Sequence, residues 1–308
     1  MKVIPVQFNT NRNISFSHYG LEKSFDNVIK SRGYSPETYI CRDDFKWKDF
    51  VKYIGEKYST ADKVNLVDHA CSAGYESYTI LLQLIETLGR RNSQKFLPIF
   101  ARDIEKEVIE SAKQGRLKLC REEQRWIDEH FKNVFNNNFN IEDIQNIQDR
   151  GVYGISENSH IATCRTNLKD NVIFEQSDIF NDKDLINKDN TILLFRNVWK
   201  YLGENKVTEL AFFLANNMKP SSLLVIGRYD LLYGINLLLG IYGFKETPIK
   251  YVYEPPREPV NSTIEEFPLI KCDGRWLTPE QMRVCCIRLS PSQRRIYADL
   301  IRKVNPVC

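Results

Sequence analysis

Short continuous apolar runs alternate along this chain with stretches in which apolar residues recur at helical spacing. Val64 to Asp68 is mostly apolar and of strand length, which predicts a buried parallel strand. Ala70 to Gly74 are small residues, which permit a tight turn and the close approach of a ligand. From Ser77 on, Tyr78, Leu81, Leu82 and Ile85 recur on one helical face. Strand, small-residue turn and helix make the first unit of a nucleotide-type α/β fold. Ligands of such folds sit at the carboxyl ends of the strands, near a helix N-terminus.

The rest of the chain repeats the alternation. An amphipathic helix over Phe45 to Tyr58, apolar at Phe45, Trp47, Phe50, Val51 and Ile54, precedes the first strand. Phe96 to Ala101 is a second apolar run, ending in Arg102-Asp103-Ile104-Glu105, and a helix over Lys106 to Arg116 stops near Gly115. Arg121 to Phe131 is a further helix, and the Asn-rich stretch from Asn133 to Asn167 reads as an irregular insertion with some short strands. Val172 to Gln176 is a third strand, closing on Ser177-Asp178-Ile179-Phe180, and Thr191 to Phe195 a fourth. A helix over Glu204 to Met218, a turn at Lys219-Pro220-Ser221-Ser222 and a fifth strand over Leu223 to Gly227 follow. Gly240 to Tyr253 holds two short extended runs that read as a closing antiparallel hairpin. This order predicts an α/β fold with a mostly parallel, seven-stranded sheet and helices on both faces. Three parts are expected: an N-terminal segment with the lead-in helix over 1–60, the ligand-binding domain over 61–254, and a Pro-rich linker with a basic helical tail over 255–308. The tail carries helical patterns over Thr278 to Cys286 and Pro291 to Val304.

Composition narrows the classes. An apolar content of 42% suits a packed core, and a formal net charge of +3 over 308 residues does not point to a protein that coats nucleic acid. No apolar run is long enough to cross a bilayer, and Met1-Lys2-Val3-Ile4-Pro5 opens no signal peptide. The eight cysteines form no C-x-x-C pair and the four histidines are scattered, so neither a disulfide framework nor a metal site is expected. These features together predict a cytoplasmic protein. Asp103, at the end of the second strand, can accept hydrogen bonds from both hydroxyls of a ribose; a helix N-cap is the structural alternative.

Six segments resemble, in order and spacing, the motifs of the CheR-type methyltransferases. Ala70-Cys71-Ser72-Ala73-Gly74-Tyr75-Glu76-Ser77-Tyr78-Thr79 is similar to G-C-S-T-G-E-E-P-Y-S, with Ala70 in place of the first glycine. Thr38-Tyr39-Ile40-Cys41-Arg42-Asp43 resembles T-x-F-F-R-D, and Ala101-Arg102-Asp103-Ile104-Glu105 resembles A-T-D-I-D. Val172-Ile173-Phe174 followed by Asp178-Ile179 resembles V-x-F followed by N-L. Phe195-Arg196-Asn197-Val198-Trp199-Lys200-Tyr201-Leu202 resembles C-R-N-V-L-I-Y-F, and Met218 to Gly227 resembles L-K-P-G-G-x-L-x-L-G. Beyond Gly227, Arg228-Tyr229-Asp230 replaces the family's usual polar run. The likeness extends from about Pro36 to Tyr253.

The resemblance implies a Rossmann-like methyltransferase sheet that binds S-adenosylmethionine and yields S-adenosylhomocysteine. Its family methylates glutamate carboxylates of chemoreceptors, so it implies a protein substrate, a carboxylate acceptor and a role in chemotaxis. By the same resemblance, Ala70, Glu76 and Thr38 lie along the methionine part of the cofactor, and Arg42 lies at the methyl. Asp103 takes the ribose, Asp178 and Ile179 the adenine, and Arg196 and Asn197 the pocket floor. Tyr201 faces the sulfonium. Arg42 and Tyr201 are the expected catalytic pair. A carboxylate acceptor is already ionised near neutral pH, so the chemistry calls for alignment and no general base. Two other readings remain open: an inactive relative that binds the cofactor as a sensor or scaffold, and a methyltransferase acting on a small molecule or RNA.

Overall fold

Helix α1 (Trp47–Lys57) turns Trp47, Phe50, Val51 and Ile54 inward from one face, the spacing of a half-buried helix. The computed structural model in which it is seen describes residues 40, 44–119, 121–143, 160–202, 204–231, 233–260, 270–272 and 275–277. Strand β1 (Asn65–His69) follows and is buried at every position. After it come α2 (Tyr75–Ser93), β2 (Ile99–Asp103), α3 (Lys106–Gln114), β3 (Arg116–Leu119), α4 (Arg121–His130) and α5 (Lys132–Asn138). Next are β4 (Phe139–Asp143), β5 (His160–Cys164), α6 (Thr166–Lys169), β6 (Val172–Gln176), α7 (Lys183–Ile186) and β7 (Thr191–Leu194). The chain continues through α8 (Glu204–Asn217), β8 (Leu223–Val225), α9 (Arg228–Leu231), α10 (Ile235–Ile241), β9 (Lys245–Glu246), β10 (Val252–Glu254), β11 (Ile270–Cys272) and β12 (Arg275–Leu277).

The main sheet has seven strands in the order β6-β2-β1-β7-β8-β10-β9. The five from β6 to β8 are parallel, and β10 runs antiparallel to both β8 and β9. From β1 the chain builds outward through β2 and β6, then returns to β7 and builds the other way. That reversal makes a crevice between β1 and β7 at the carboxyl edge, where α/β sheets bind ligands. Right-handed crossovers in opposite directions place α2 and α8 on opposite faces. α1 lies close on α2: an added Cβ at Gly55 would come within 2.7 Å of Leu88.

The described parts of the insertion are more ordered than their composition predicts. Over 133–143 and 160–167 the chain forms most of α5, then β4, β5 and the start of α6, and β4 and β5 join β3 in an antiparallel sheet of order β3-β5-β4. Phe131, Phe135 and Phe139 are all buried, four residues apart, beneath a polar Asn-rich sequence. Buried Asn138 accepts from Arg90 at 3.2 Å, tying α5 to α2. The expected hairpin over Gly240 to Tyr253 also needs correction at its start: Gly240 and Ile241 end α10, and the paired strands are β9 and β10.

The chain does not leave the body at Pro255. The Val260 N–H donates to Asn216 Oδ1 of α8 at 3.0 Å, and β11 and β12 pair as a hairpin. The two expected tail helices lie outside the described residues. Among the described residues, no helix is long and apolar enough to cross a membrane, and no group of three His, Cys, Asp or Glu side chains could hold a metal ion.

Candidate active site

The loop from β1 to α2 is the centre of the crevice. Ala70 and Ser72 have left-handed backbones, with φ of 64° and 51°, and Gly74 follows at 84°. Left-handed geometry disfavours residues with a Cβ, so the turn holds Ala70 and Ser72 against their preference. At Gly74 a side chain is excluded twice, by φ and because an added Cβ would lie 2.8 Å from the Phe174 ring. The Cys71 N–H donates to the Arg102 carbonyl at 2.9 Å, so the loop is hung on the end of β2.

Asp103 completes that attachment. Its Oδ2 accepts the Ser72 N–H at 2.8 Å and its Oδ1 the Glu105 N–H at 3.0 Å. Burial raises its carboxyl above the ordinary Asp range, against the pull of these two N–H groups. The N-cap position of α3 is occupied by Glu105, so Asp103 is not itself the cap. Each Asp103 oxygen retains lone-pair capacity beyond the bond it makes. Beside it Ile104 is 60% exposed, an apolar side chain left uncovered at the carboxyl edge.

On the α2 side of the crevice, Arg196 gathers the charged residues. Its Nη1 donates to Glu76 at 2.6 Å and its Nη2 to Asp44 at 3.0 Å, while the guanidinium carbon lies 4.7 and 4.8 Å from the Phe45 and Trp47 ring centroids. Burial disfavours the guanidinium charge, but Glu76 and Asp44 outweigh it and hold Arg196 above its ordinary value. Asp68, buried behind Glu76, accepts from the Ser77 hydroxyl. Burial first, then the neighbouring Glu76, push its carboxyl well above the ordinary range, against the Ser77 hydroxyl and Arg196. Glu76 and Arg196, assigned to separate roles from the sequence, are thus direct partners across the sheet.

Asn197 follows at φ 61°, left-handed again. Its Oδ1 accepts the Tyr229 N–H at 3.2 Å, and its buried Nδ2 has no partner among the described residues. Tyr201 ends the same turn at the rim, 38% exposed. Lys200 lies between two exposed rings, its Nζ 4.6 Å from the Tyr201 centroid and 5.8 Å from that of Tyr229.

Across the sheet the loop after β6 carries Asp178, whose Oδ1 accepts the Phe180 N–H at 3.1 Å, and buried Ile179. That loop is pinned by a network that sequence reasoning missed. His69 Nε2 lies 2.9 Å from Asp182 Oδ2, Arg102 Nη1 3.4 Å from Asp182 Oδ1, and Arg102 also pairs with Glu175. Burial works to raise the Asp182 carboxyl, but His69 and Arg102 prevail and hold it below the ordinary range. Neither His69 nor Asp182 stands in a local pattern that could have announced the pair. Thr38 and Arg42 lie outside the described residues; Ile40, between them in sequence, is buried and donates its N–H to Glu123 of α4 at 3.0 Å.

The topology, with its glycine-bearing loop and acidic strand end, defines a nucleotide-cofactor α/β protein. Residues 36–243, more than half of the chain, match the family described as CheR methyltransferase, SAM binding domain. The chain belongs to that family, its cofactor is S-adenosylmethionine, and its chemistry is methyl transfer. Solved structures are similar to it at low identity. The methyltransferase domain of a bacterial protein titled CtHen1-C is 12% identical, at a TM-score of 0.35, covering 68% of this chain and 98% of that one. An S-adenosylmethionine-dependent methyltransferase from Aquifex aeolicus is 14% identical, at a TM-score of 0.32, covering 68% and 87%.

Proposed function

We propose that this protein transfers the methyl group of S-adenosylmethionine to a carboxylate on a protein, the acceptor class of the CheR-type enzymes it resembles. The observation that carries the reading is the Arg196–Tyr201 turn. It supplies buried charge balance at Arg196, an unpartnered amide nitrogen at Asn197, and exposed Tyr201 beside Lys200. A cation at the mouth draws in a carboxylate, and a phenol hydroxyl can fix its angle.

The residues present fit the cofactor. Asp103 retains acceptor capacity for ribose hydroxyls, exposed Ile104 offers an apolar face to a flat base, and Asn197 Nδ2 is a buried donor lacking a partner. We assign Ala70, Glu76 and Thr38 to the methionine portion, Asp178 and Ile179 to the adenine, and Arg196 and Asn197 to the floor. Arg42 and Tyr201 are assigned to the methyl-transfer centre. The bound cofactor supplies a methyl group on a positively charged sulfur. The chain orients the acceptor oxygen in line with it and excludes water, which is where the rate gain of an aligned displacement lies. With an ionised acceptor, no proton has to be removed.

The test is incubation with methyl-labelled S-adenosylmethionine in a lysate of the source organism. The reading expects label in protein that mild base releases as methanol, the signature of a methyl ester. Label confined to RNA or small molecules would overturn the carboxylate assignment. Cofactor binding with no transfer to any fraction would favour the inactive relative.

A further inference from the structure

The turn after β7 does not hold its shape alone. Asn197 is left-handed at φ 61°, a conformation that Asn adopts more readily than other residues with a Cβ but in which the turn still needs its backbone N–H groups satisfied. What restrains it is Asp230, fully buried at 0% exposure in the turn after β8. Asp230 Oδ2 accepts the Asn197 N–H and the Gly227 N–H, each at 2.7 Å, and Oδ1 accepts the Trp199 N–H at 3.3 Å. The Tyr229 N–H on Asn197 Oδ1 closes the arrangement from the other side. The two turns touch so closely that an added Cβ at Gly227 would lie 2.6 Å from the Asn197 nitrogen and 1.9 Å from its Oδ1.

We propose that Asp230 is a positioning residue for the cofactor floor. Its carboxylate clamps the Asn197–Trp199 turn against Gly227, and so holds the Asn197 amide with Oδ1 engaged and Nδ2 presented to the crevice. A buried carboxylate is costly to retain unless its bonds do something a neutral side chain cannot. Here it accepts N–H groups from both strand-end turns and so joins them. Arg196, adjacent in the chain, adds a favourable charge. The inference rests on the reading that Asn197 lines the floor.

The experiment measures S-adenosylhomocysteine binding by calorimetry in the full chain, for wild type, Asn197→Ala, Asp230→Ala, Asp230→Asn and a control, Leu214→Val, in the core helix α8. Asn197→Ala tests the floor itself: if it binds as wild type does, the floor reading fails and the clamp falls with it. If Asn197→Ala weakens binding, Asp230→Ala should weaken it too, by about tenfold or more, the scale of losing a charge-assisted bond. Asp230→Asn, nearly isosteric, keeps one acceptor oxygen and should fall between. It should also shift the amide resonances of Gly227, Asn197 and Trp199 together, which a distant loss of stability would not do. Leu214→Val should lower the unfolding temperature and spare affinity. Should Asp230→Ala fail to fold, Asp230→Asn with its amide shifts decides alone. Wild-type affinity in a folded Asp230 variant, or a loss in Leu214→Val matching that of the Asp230 variants, would overturn the proposal.

Discussion

At the scale of single residues, each assignment separates binding from alignment. Asp103→Ala should lower S-adenosylhomocysteine affinity by about 1–3 kcal/mol, the cost of a removed charge-assisted partner, as read by calorimetry. Part of that loss would come through Ser72, whose N–H Asp103 holds. Tyr201→Phe keeps the ring and removes only a hydroxyl at an exposed site. It should leave cofactor affinity unchanged while lowering the single-turnover rate on the acceptor, the pattern of an interaction felt in the transition state. Asp230 also makes a pH signature. Burial pushes its carboxyl from 3.8 to about 7. The folded state therefore holds the proton more tightly than the unfolded chain does. This contribution to stability is fully present below pH 3.8 and is lost as pH rises through about 7. Urea unfolding of wild type across that window should show a declining contribution, and Asp230→Asn should remove it.

At the scale of elements, the site depends on how closely the strand-end loop approaches its neighbours. The β1–α2 loop can reach the crevice only because Gly74 lies against Phe174 of β6 with no Cβ between them. Gly74→Ala would impose a left-handed alanine, roughly 1–2 kcal/mol, on top of overpacking of about 1–3 kcal/mol against the ring. Urea unfolding should show a loss of that order, and calorimetry a loss of S-adenosylhomocysteine affinity as the loop moves. Unchanged stability would mean that Phe174 yields freely and that the loop is not held from that side. The Phe131, Phe135 and Phe139 series makes the complementary point. Phe131 stands just before α5, Phe135 within it and Phe139 at the start of β4, so one buried series of rings serves two kinds of element.

At the scale of the whole molecule, the family match ends at residue 243, while the described chain stays on the body at Val260 and again at β12, which lies against α10. A chain ending at Val260 should fold and bind S-adenosylhomocysteine as the full chain does. One ending at Glu254 loses the bond to Asn216 and should unfold at a lower temperature. If the longer truncate unfolds outright, the β11–β12 hairpin belongs to the core. The basic residues beyond it, among them Arg294, Arg295, Arg302 and Lys303, are then best tested for acceptor choice.

Much of the frame was legible because it is local. The apolar run of β1, the small residues of its loop and the helical spacing of α2 each report backbone geometry within a few residues, and the strand–helix alternation carries the sheet type with it. The family likeness of the Arg196–Tyr201 run was likewise readable, being contiguous. The insertion was not: its apolar periodicity is sparse among asparagines, and β3, β4 and β5 are recognisable as strands only once paired. Nor were the contacts that give the site its electrostatics. Glu76 with Arg196, His69 with Asp182 and Asp230 with Asn197 join distant parts of the chain, and no spacing within one element relates them. Strand register decides which side chains meet at the carboxyl edge, and burial decides which are charged. The sequence by itself determined the strands of the main sheet, their order and the cofactor loop; only the tertiary structure decided that Glu76 balances Arg196, that burial raises Asp68, and that Asp230 accepts the Asn197 N–H. The physical reason is that low-dielectric burial and cross-strand geometry exist only after the chain has closed on itself.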